Sequence, residues 1–328
     1  MLNIKLPSDE NRKVSFFLAM EEYVAKQDNH DDAFFVWQVP PSVIFGRNQL
    51  IANEVNLPYC HNHGISMFRR KSGGGCVYAD YGNMMLSYIT KSSQVMFTYY
   101  KYTNLVVGAL RHLGFDATTN GRNDILVGGC KVSGNAFYHL QGHSIVHGTM
   151  LYDTDMDNMM SCLTPATEKL TSHGVQSVRQ RITLLKEHTR LSLLEIRQAL
   201  VSFLCDTSLS LTADDVSHIE EMEKNYLTHD FIFGKNPRHT VTKKKYIDGV
   251  GLVEARIELR NDIIRDIDFK GDFFVIGDIA HLCRQLKGVP LQAEALDRKL
   301  PDSLCHTIMN IKKADMISLL THESSIDN

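Results

Sequence analysis

The stretch RRKSGGGCVYADYGN, residues 69–83, places two arginines, a serine and three consecutive glycines between the strand-like runs ISMFRR (65–70) and MMLSYIT (84–90). A hairpin turn needs only one or two glycines. Three in succession can adopt positive φ angles and turn their N–H groups toward one point, which forms a site for an anion, and the arginines add charge beside it. The alternative is a flexible hairpin tip with solvated arginines.

The glycine cluster matches neither common phosphate-binding fingerprint. Tyr78 stands where a G-x-G-x-x-G pattern requires its third glycine, and no Gly-Lys-Ser/Thr ending of the P-loop type follows. The role of the cluster therefore depends on motifs elsewhere in the chain.

Composition is typical of an ordinary globular protein. A length of 328 residues suggests about two domains, and 43% hydrophobic residues suffice for a sizeable core. The formal net charge of -3 gives no electrostatic sign of nucleic-acid binding. The N-terminus lacks a secretion signal, and no apolar run of about 18 residues occurs, so the sequence predicts a cytoplasmic protein that is not embedded in a membrane.

The seven cysteines are widely scattered and form no C-x-x-C pair. An odd number without metal-ligand spacing favours reduced thiols over disulfides or a zinc site. The sequence therefore predicts no structural metal.

The order of predicted elements indicates an α+β fold. Residues 15–26 form an amphipathic pattern after Ser15, which is expected to cap the first helical turn. Strand-like runs and one further helix ending at Gly114 continue to about residue 153, and a helix-rich stretch extends from about 156 to 229. Strands first and helices later favour a mixed or antiparallel sheet.

A change of composition near residues 233–245, FGKNPRHTVTKKK, is typical of a linker. The lysines at 243–245 are either a hinge or a solvated run of charge. Beyond them, LVEARIELR (252–260) and IIRDIDF (263–269) alternate as a hairpin pair, and helical patterns follow. The sequence therefore predicts two domains, 1–241 and 242–328.

A second group of polar motifs follows the glycine cluster, comprising GRND (121–124), KVSGNA (131–136) and HGT (147–149). Asp124 suits a magnesium ion, which prefers carboxylate and phosphate oxygens. Lys131 can stabilise negative charge on a reacting phosphate. Taken singly, Asp124 also fits a strand cap, Lys131 a solvated strand end and His147 a satisfied core histidine. Together, the groups fit a site for a nucleotide phosphate and a second anionic reactant.

These motifs resemble those of the lipoate-protein ligase A family, within the biotin and lipoate protein ligase superfamily. Their order and spacing match over the whole predicted first domain, and the similarity extends more weakly to the C-terminal domain. The resemblance is carried by RRKSGGGCVYADYGN (69–83), GRNDILV (121–127), KVSGNAFY (131–138), HGTMLYDTDMDNMMSCLTP (147–165), SHGVQSVRQRITLL (172–185) and LAMEE (18–22).

The resemblance implies a large mixed-sheet catalytic domain of the biotin/lipoate ligase type, residues 1–241, and a small α+β accessory domain, residues 242–328. It implies an enzyme that uses ATP and magnesium to convert free lipoate to lipoyl-AMP, and then transfers the lipoyl group to a lysine. The implied acceptors are lipoyl domains of 2-oxoacid dehydrogenase complexes and the glycine-cleavage H protein. A monomer is expected, because no long apolar strip is left unassigned.

Site residues follow from the resemblance position by position. Lys131 would touch both the α-phosphate and the acyl carbonyl, and is the expected catalytic residue. Asp124 would hold magnesium. The nucleotide- and phosphate-binding set would comprise Arg70, Ser72, Gly73, Gly74, Gly75, Val77, Asn83, Asn123 and Asp124.

The lipoyl tail is a short apolar chain, so its tunnel should be apolar with one charged end. The family's tunnel and acyl-binding positions correspond here to Leu18, Glu21, Trp37, Arg70, Gly75, Ser133, Gly134, Ala136 and His147. Simple core packing is the alternative for Trp37, and an exposed helix carboxylate is the alternative for Glu21. Ala79 departs from the family, many members of which carry histidine there, and the change is expected to alter acyl-chain selectivity or rate.

Two other functions compete with the ligase. A lipoyl or octanoyl transferase of the same fold would use Cys76, Cys130 or Cys162 as a thioester-forming nucleophile and would need no ATP. A non-catalytic lipoate-binding protein would keep the pocket without turnover. The GRND motif and the C-terminal domain favour the ligase over the transferase.

Overall fold

The structure is a computed structural model that describes residues 1–8, 10–27, 32–121, 123–163, 181–234 and 239–321. Parts of four predicted segments lie outside the described residues, namely residue 122 of GRND, residues 164–165 and 172–180 of the later motifs, and residues 235–238 of the linker. None of the described helices is long and apolar enough to cross a bilayer.

The described strands form three sheets. In chain order they are β1 (Leu2–Lys5), β2 (Asp32–Trp37), β3 (Ser42–Phe45), β4 (Ser66–Arg69), β5 (Val77–Ala79), β6 (Asn83–Lys91), β7 (Ala117–Thr119), β8 (Asp124–Val127), β9 (Cys130–Leu140), β10 (His143–Leu151), β11 (Thr207–Ser210), β12 (Val241–Ile247), β13 (Gly251–Arg260) and β14 (Ile263–Gly271).

Among the described helices, Val14–Lys26 and Val95–His112 cover the two faces of the main sheet. In chain order, the described helices are α1 (Val14–Lys26), α2 (Ile51–Glu54), α3 (Leu57–Asn62), α4 (Val95–His112), α5 (Met156–Cys162), α6 (Leu193–Leu204), α7 (Ala213–Tyr226), α8 (His229–Phe233), α9 (Ile279–Leu286), α10 (Ala293–Lys299) and α11 (Lys313–Thr321).

The main sheet has eight strands in the order β11-β1-β2-β6-β10-β9-β8-β7. Strand β1 pairs in parallel with β2 and β11, and the other pairs are antiparallel, which confirms the predicted mixed sheet. Alternate residues of β2 face opposite cores, with Phe34 packed on the α4 side and Phe35 and Trp37 on the α1 side. Both faces are covered, so the central strands read as continuous apolar runs.

A small sheet in the order β4-β3-β5 carries the glycine-rich stretch. Strand β4 runs parallel to β3, and β5 runs antiparallel to it, so residues 70–76 connect two strands on opposite sides of β3. The stretch is therefore a loop over one end of this sheet and not the tip of a hairpin.

The C-terminal region has a core of its own around the antiparallel sheet β12-β13-β14. Lys243, Lys244 and Lys245 lie within β12, where they pair with Ala255, Glu254 and Val253 of β13. The suggested hinge at these lysines is therefore wrong, because their backbone is fixed in the sheet.

The predicted cap of α1 is also wrong. The helix begins after Lys13, which makes no side-chain cap, and Ser15 lies inside the first turn with its hydroxyl bonded to Glu223 of α7. Gly114 follows α4 with φ +88, and its N–H bonds to the Arg111 carbonyl, as the predicted helix end requires.

Candidate active site

Arg70 shapes the glycine loop from inside. Its Nη2 donates to the carbonyl oxygens of Gly73 and Gly75, both at 2.7 Å, and its Nη1 donates to Ile44 at 3.0 Å. Its Nε donates to the Ser72 hydroxyl at 2.9 Å. Burial lowers the pKa of Arg70 to about 10. These bonds tether the loop's carbonyls to a fixed guanidinium, so the loop has a defined shape.

Arg69 has a structural role that the sequence did not predict. Its Nη1 donates to the carbonyls of Gly46, Arg47 and Gln49 at 2.9 to 3.0 Å, and its Nε reaches Ile232 at 2.8 Å. Its guanidinium also lies over the Phe45 ring. Arg69 therefore braces the loop after β3 against α8.

The three glycines differ in conformation. All three could adopt positive φ, but of them only Gly74 does, at +86. A Cβ on Gly46 would lie 2.2 Å from the Gly74 carbonyl oxygen, and one on Gly73 would lie 2.6 Å from the Phe273 oxygen. Bare backbone is thus required where β3 and the C-terminal domain approach the loop. A Cβ on Gly75 would meet no described atom within 4 Å and would point into open space.

Lys131 and Asp124 form an ion pair at the next part of the site. The Lys131 Nζ lies 2.6 Å from Asp124 Oδ1, and the Asp124 Oδ2 accepts a bond from Asn120 at 2.9 Å. The two residues come together because β8 and β9 are antiparallel neighbours. A Cβ on Gly134 would lie only 3.0 Å from the Lys131 Nζ, so the glycine of KVSG leaves room for the ammonium group.

A cavity of about 100 Å³ lies between the glycine loop, β9, β10 and α1. Eleven predicted site residues line it: Leu18, Trp37, Arg70, Gly74, Gly75, Val77, Asn123, Lys131, Gly134, Ala136 and His147. Its polar lining includes Lys131, Asn123 and the glycine loop, and its apolar lining includes Leu18 and Trp37. The cavity thus combines cationic and amide donors with apolar side chains, the composition expected for a carboxylate with an apolar tail.

Six predicted residues lie outside the described lining of this cavity: Glu21, Ser72, Gly73, Asn83, Asp124 and Ser133. Glu21, Ser72, Gly73 and Asp124 contact residues that do line it. Asn83 is fully buried, where it donates to the Tyr78 carbonyl and accepts from the Thr154 hydroxyl. Ser133 is also buried and bonds to Asn135. The structure does not bring Asn83 or Ser133 to the cavity, because their positions on the strands point them into the protein.

Seven lining residues were not predicted: Ile44, Cys76, Met85, Asn135, Gly148, Thr149 and Phe274. Asn135 and Thr149 stand within the quoted motifs, and their position on β9 and β10 could have indicated them. Phe274 comes from the C-terminal domain, far away in sequence. Its ring stacks on Phe137 at a centroid distance of 5.5 Å and contacts Gly74.

A buried carboxylate, Glu21, contacts the lining residue His147. Glu21 of α1 is fully buried and accepts bonds from Ser87 at 2.6 Å, Tyr138 at 3.2 Å and His147 at 3.0 Å. The Trp37 indole donates to the same Ser87 hydroxyl at 2.9 Å. Glu21 is therefore not an exposed helix carboxylate, and Trp37 combines core packing with a hydrogen bond.

The donor set for a metal is small. Within the described residues, no group of three or more His, Cys, Asp or Glu side chains is arranged to hold a metal ion. Asp124 offers one carboxylate, now shared by Lys131 and Asn120. This fits an ion such as magnesium, which proteins often hold through one or two carboxylates together with substrate phosphates, and does not fit a closed structural site.

The three candidate cysteines differ in exposure. Cys162 is buried, and burial together with the neighbouring Cys60 raises its pKa to about 12, which opposes its use as a nucleophile. Cys76 and Cys130 are partly exposed, and of the three only Cys76 lines the described cavity.

Comparison with known proteins assigns most of the chain to the lipoate-protein ligase family that the sequence motifs resemble. Residues 13–204 match the family described as Lipoyl protein ligase A/B catalytic domain, and residues 236–320 match Bacterial lipoate protein ligase C-terminus. The chain is 33% identical over 316 residues to lipoate-protein ligase LplJ of Bacillus subtilis, which covers 92% of this chain and 95% of that protein. It is 32% identical over 314 residues to lipoate-protein ligase 1 of Staphylococcus aureus, covering 93% and 95%.

Solved structures share the fold. LipL1 of P. falciparum in complex with lipoate superposes with a TM-score of 0.80 over 98% of this chain and 99% of that chain, at 21% identity. A lipoate-protein ligase A bound with ATP gives a TM-score of 0.62 at 26% identity, over 71% of this chain and 99% of that one. The chain therefore belongs to the lipoate-protein ligase family, with a catalytic domain of the lipoyl protein ligase A/B type and a ligase-type C-terminal domain.

Proposed function

We propose that this protein is an ATP-dependent ligase that activates free lipoate to lipoyl-AMP and transfers the lipoyl group to a lysine of an acceptor protein. The observation that carries the proposal is the meeting of three features in one cavity: the Lys131 ammonium, the loop that Arg70 holds, and the apolar wall with Leu18 and Trp37. An acyl-phosphate junction needs cationic and amide donors, and a lipoyl tail needs an apolar channel.

In the first step, an oxygen of the lipoate carboxylate attacks the α-phosphorus of ATP, and pyrophosphate leaves with the electron pair of the broken P–O bond. Two anions must meet, so positioning and charge neutralisation supply most of the barrier lowering. Lys131 would exchange its Asp124 partner for the α-phosphate. Magnesium would neutralise phosphate charge, and Asp124, released from Lys131, would be its protein ligand.

In the second step, the neutral amine of the acceptor lysine attacks the acyl carbonyl, and AMP leaves. Lys131 donates to the carbonyl oxygen as negative charge develops there. The leaving phosphate is the base that we assign to the amine proton, since no carboxylate among the described lining residues stands in the cavity.

We also propose that the chain divides into two domains between residues 241 and 242, and that these domains have different roles. Residues 1–241 would bind lipoate and ATP, and residues 242–328 would cover the glycine loop until nucleotide or acceptor displaces them. The proposed acceptors are lipoyl domains of 2-oxoacid dehydrogenase complexes and the glycine-cleavage H protein. An archaeal lipoate protein ligase from Thermoplasma acidophilum, 26% identical, was solved as part of a system with its E2 lipoyl domain. We further propose a monomer that works in the cytoplasm.

The test is a discharge assay with protein, ATP, magnesium, lipoate and a panel of lipoyl domains and H protein, read by intact mass. The expected result is one lipoyl group on the acceptor lysine, dependent on ATP. Binding of lipoate without labelling of any acceptor would instead favour a non-catalytic lipoate-binding protein.

A transferase that works through a cysteine thioester is the second candidate, because Cys76 lines the cavity beside Gly75. Cys76→Ala separates the two. The ligase predicts that ATP-dependent labelling from free lipoate persists in this variant. The transferase predicts that wild-type protein labels the acceptor without ATP only when an acylated donor protein is supplied, and that Cys76→Ala loses this transfer.

A further inference from the structure

A continuous chain of hydrogen bonds connects helix α1 to the glycine loop. Glu21 accepts from His147 Nδ1 at 3.0 Å, and His147 Nε2 lies 2.7 Å from the Ser72 hydroxyl. Ser72 in turn accepts from Arg70 Nε at 2.9 Å. All four side chains are buried, with 6% exposure or less.

The protons in this chain have one arrangement that satisfies every atom. Ser87 receives the Trp37 N–H and therefore gives its own proton to Glu21. Burial and the nearby Glu21 charge raise the pKa of Tyr138, so its phenol also donates to Glu21. With its carboxylate surrounded by donors, Glu21 takes the N–H of His147 Nδ1.

The other half of the chain follows from the same reasoning. Ser72 accepts the Arg70 N–H, and its own proton is then free to go to His147 Nε2, which accepts it as the unprotonated nitrogen of a neutral imidazole. The polarity therefore runs in one direction, from the Arg70 guanidinium through Ser72 and His147 to the Glu21 carboxylate. Hydrogen bonds aligned in this way strengthen one another in a buried setting.

The hydrogen-bond chain also connects a buried cation to a buried anion. Arg70 is a buried cation whose described bonds go to Ser72 and to the carbonyls of Ile44, Gly73 and Gly75, with no carboxylate among them. A buried charge is costly unless it is paired. Glu21 is the buried anion that the chain connects to it, at the far end of two polar side chains.

The resemblance of Glu21, His147 and Ser72 to a hydrolytic triad does not extend to nucleophilic chemistry. Ser72 is 1% exposed and lies outside the described lining of the cavity, and Arg70 donates to its oxygen. A hydroxyl that already accepts from a cation, with no access to the cavity, is poorly placed to attack an acyl group.

We infer that Glu21, His147 and Ser72 are positioning residues that act through Arg70 to fix the glycine loop for phosphate binding. Glu21 supplies the negative charge, and His147 and Ser72 connect it to Arg70 through hydrogen bonds. Arg70 in turn holds the Gly73 and Gly75 carbonyls, so that the loop keeps its shape. The part of this inference that concerns ATP binding rests on the proposed function. The part that concerns the shape of the loop does not.

The loop carries its own reporter, because Cys76 follows Gly75 directly and is partly exposed. The experiment compares Glu21→Gln, Ser72→Ala and the double variant by the rate at which a small thiol reagent modifies Cys76, read by peptide mass. The matched control is Glu254→Gln, which changes another buried carboxylate, on β13, whose described partner is Arg256 at 2.7 Å.

We expect Glu21→Gln and Ser72→Ala each to speed Cys76 modification about tenfold, the scale of one lost charge-assisted bond. The double variant should be no faster than Ser72→Ala alone, because both changes break the same chain. Glu254→Gln should leave the rate within about twofold, the scale of a change that acts on no shared partner. Unchanged labelling in Glu21→Gln, or additive effects in the double variant, would overturn the inference.

A second measurement tests the link to nucleotide binding. In lipoate-dependent pyrophosphate exchange, the KM for ATP should rise about tenfold in Glu21→Gln and again not rise further in the double variant. If wild-type protein shows no exchange at all, the proposed function fails. The rate of Cys76 modification still decides whether the hydrogen-bond chain fixes the loop.

Discussion

The backbone N–H of Gly74 donates a hydrogen bond to the carbonyl oxygen of Phe273, at an N···O distance of 3.3 Å. The ring of Phe274 lies beside it, against Gly74 and stacked on Phe137. The docked C-terminal domain thus occupies an amide of the loop to which we assign phosphate binding. Nucleotide that uses this amide has to compete with the Phe273 carbonyl.

Phe274→Ala is therefore expected to lower the KM for ATP about fivefold, since a docked state that excludes ligand reduces its apparent affinity by the undocked fraction. The change removes a ring that is 2% exposed and so weakens docking. The measurement is the ATP dependence of lipoate-driven pyrophosphate exchange. Phe97→Ala, at a ring that is 65% exposed on α4, is the control and should leave the KM unchanged. A higher KM in Phe274→Ala would show that the ring assists the nucleotide.

Gly134→Ala tests the space that Lys131 needs. A Cβ at this position would lie 3.0 Å from the Lys131 Nζ and 3.1 Å from its Cε, so the ammonium has to move. We expect exchange activity to fall about 100-fold, the usual loss when one aligned donor is displaced. Urea unfolding should show a loss of no more than about 1 kcal/mol, because a flexible side chain can shift.

The matched control is Gly108→Ala on α4, where the nearest atom lies 3.8 Å from the new Cβ. It should keep full activity and gain up to about 1 kcal/mol of stability from helix propensity. Equal activity in Gly134→Ala and wild type would mean that the position of the Lys131 ammonium is not critical.

Thiol chemistry provides an independent prediction about Cys162. With a pKa of about 12, only about one Cys162 in 10⁴ is a thiolate at pH 8, and the side chain is buried. Iodoacetamide should therefore modify the exposed Cys305 and spare Cys162, as measured by peptide mass, and Cys162→Ala should retain exchange activity. Rapid alkylation of Cys162 in folded protein would contradict both its burial and its exclusion as nucleophile.

Local patterns in the sequence predicted the strands well. The strand-like region that was predicted to continue to about residue 153 contains β9, Cys130–Leu140, and the run at 84–90 corresponds to β6, Asn83–Lys91. Apolar continuity and bounding turns are properties of neighbouring residues, so local patterns can reveal them. The parallel pairing of β1 with β11 was not predicted, since it joins residues 2–5 to 207–210.

The sequence motifs identified individual residues of the site, but not the hydrogen bonds and domain contacts that connect them. The motifs identified Lys131, the glycine loop and His147, but not the chain from Glu21 to Ser72, whose partners lie 126 and 75 residues apart. Phe274 carried no signal at all, because its contact with Gly74 depends on how the C-terminal domain docks. Arg69 was expected near an anion because its charge is visible in sequence, whereas the carbonyls that it binds are not.

The central claim is that the Lys131 ammonium and the glycine loop act on one acyl-phosphate junction. Lipoate-dependent exchange of labelled pyrophosphate into ATP measures that junction directly, with Lys131→Met as the variant that keeps an unbranched side chain, one atom shorter, and removes its charge. We predict exchange in wild-type protein and at least about a 100-fold loss in Lys131→Met at unchanged stability. Exchange that proceeds equally well without the ammonium group would contradict the account.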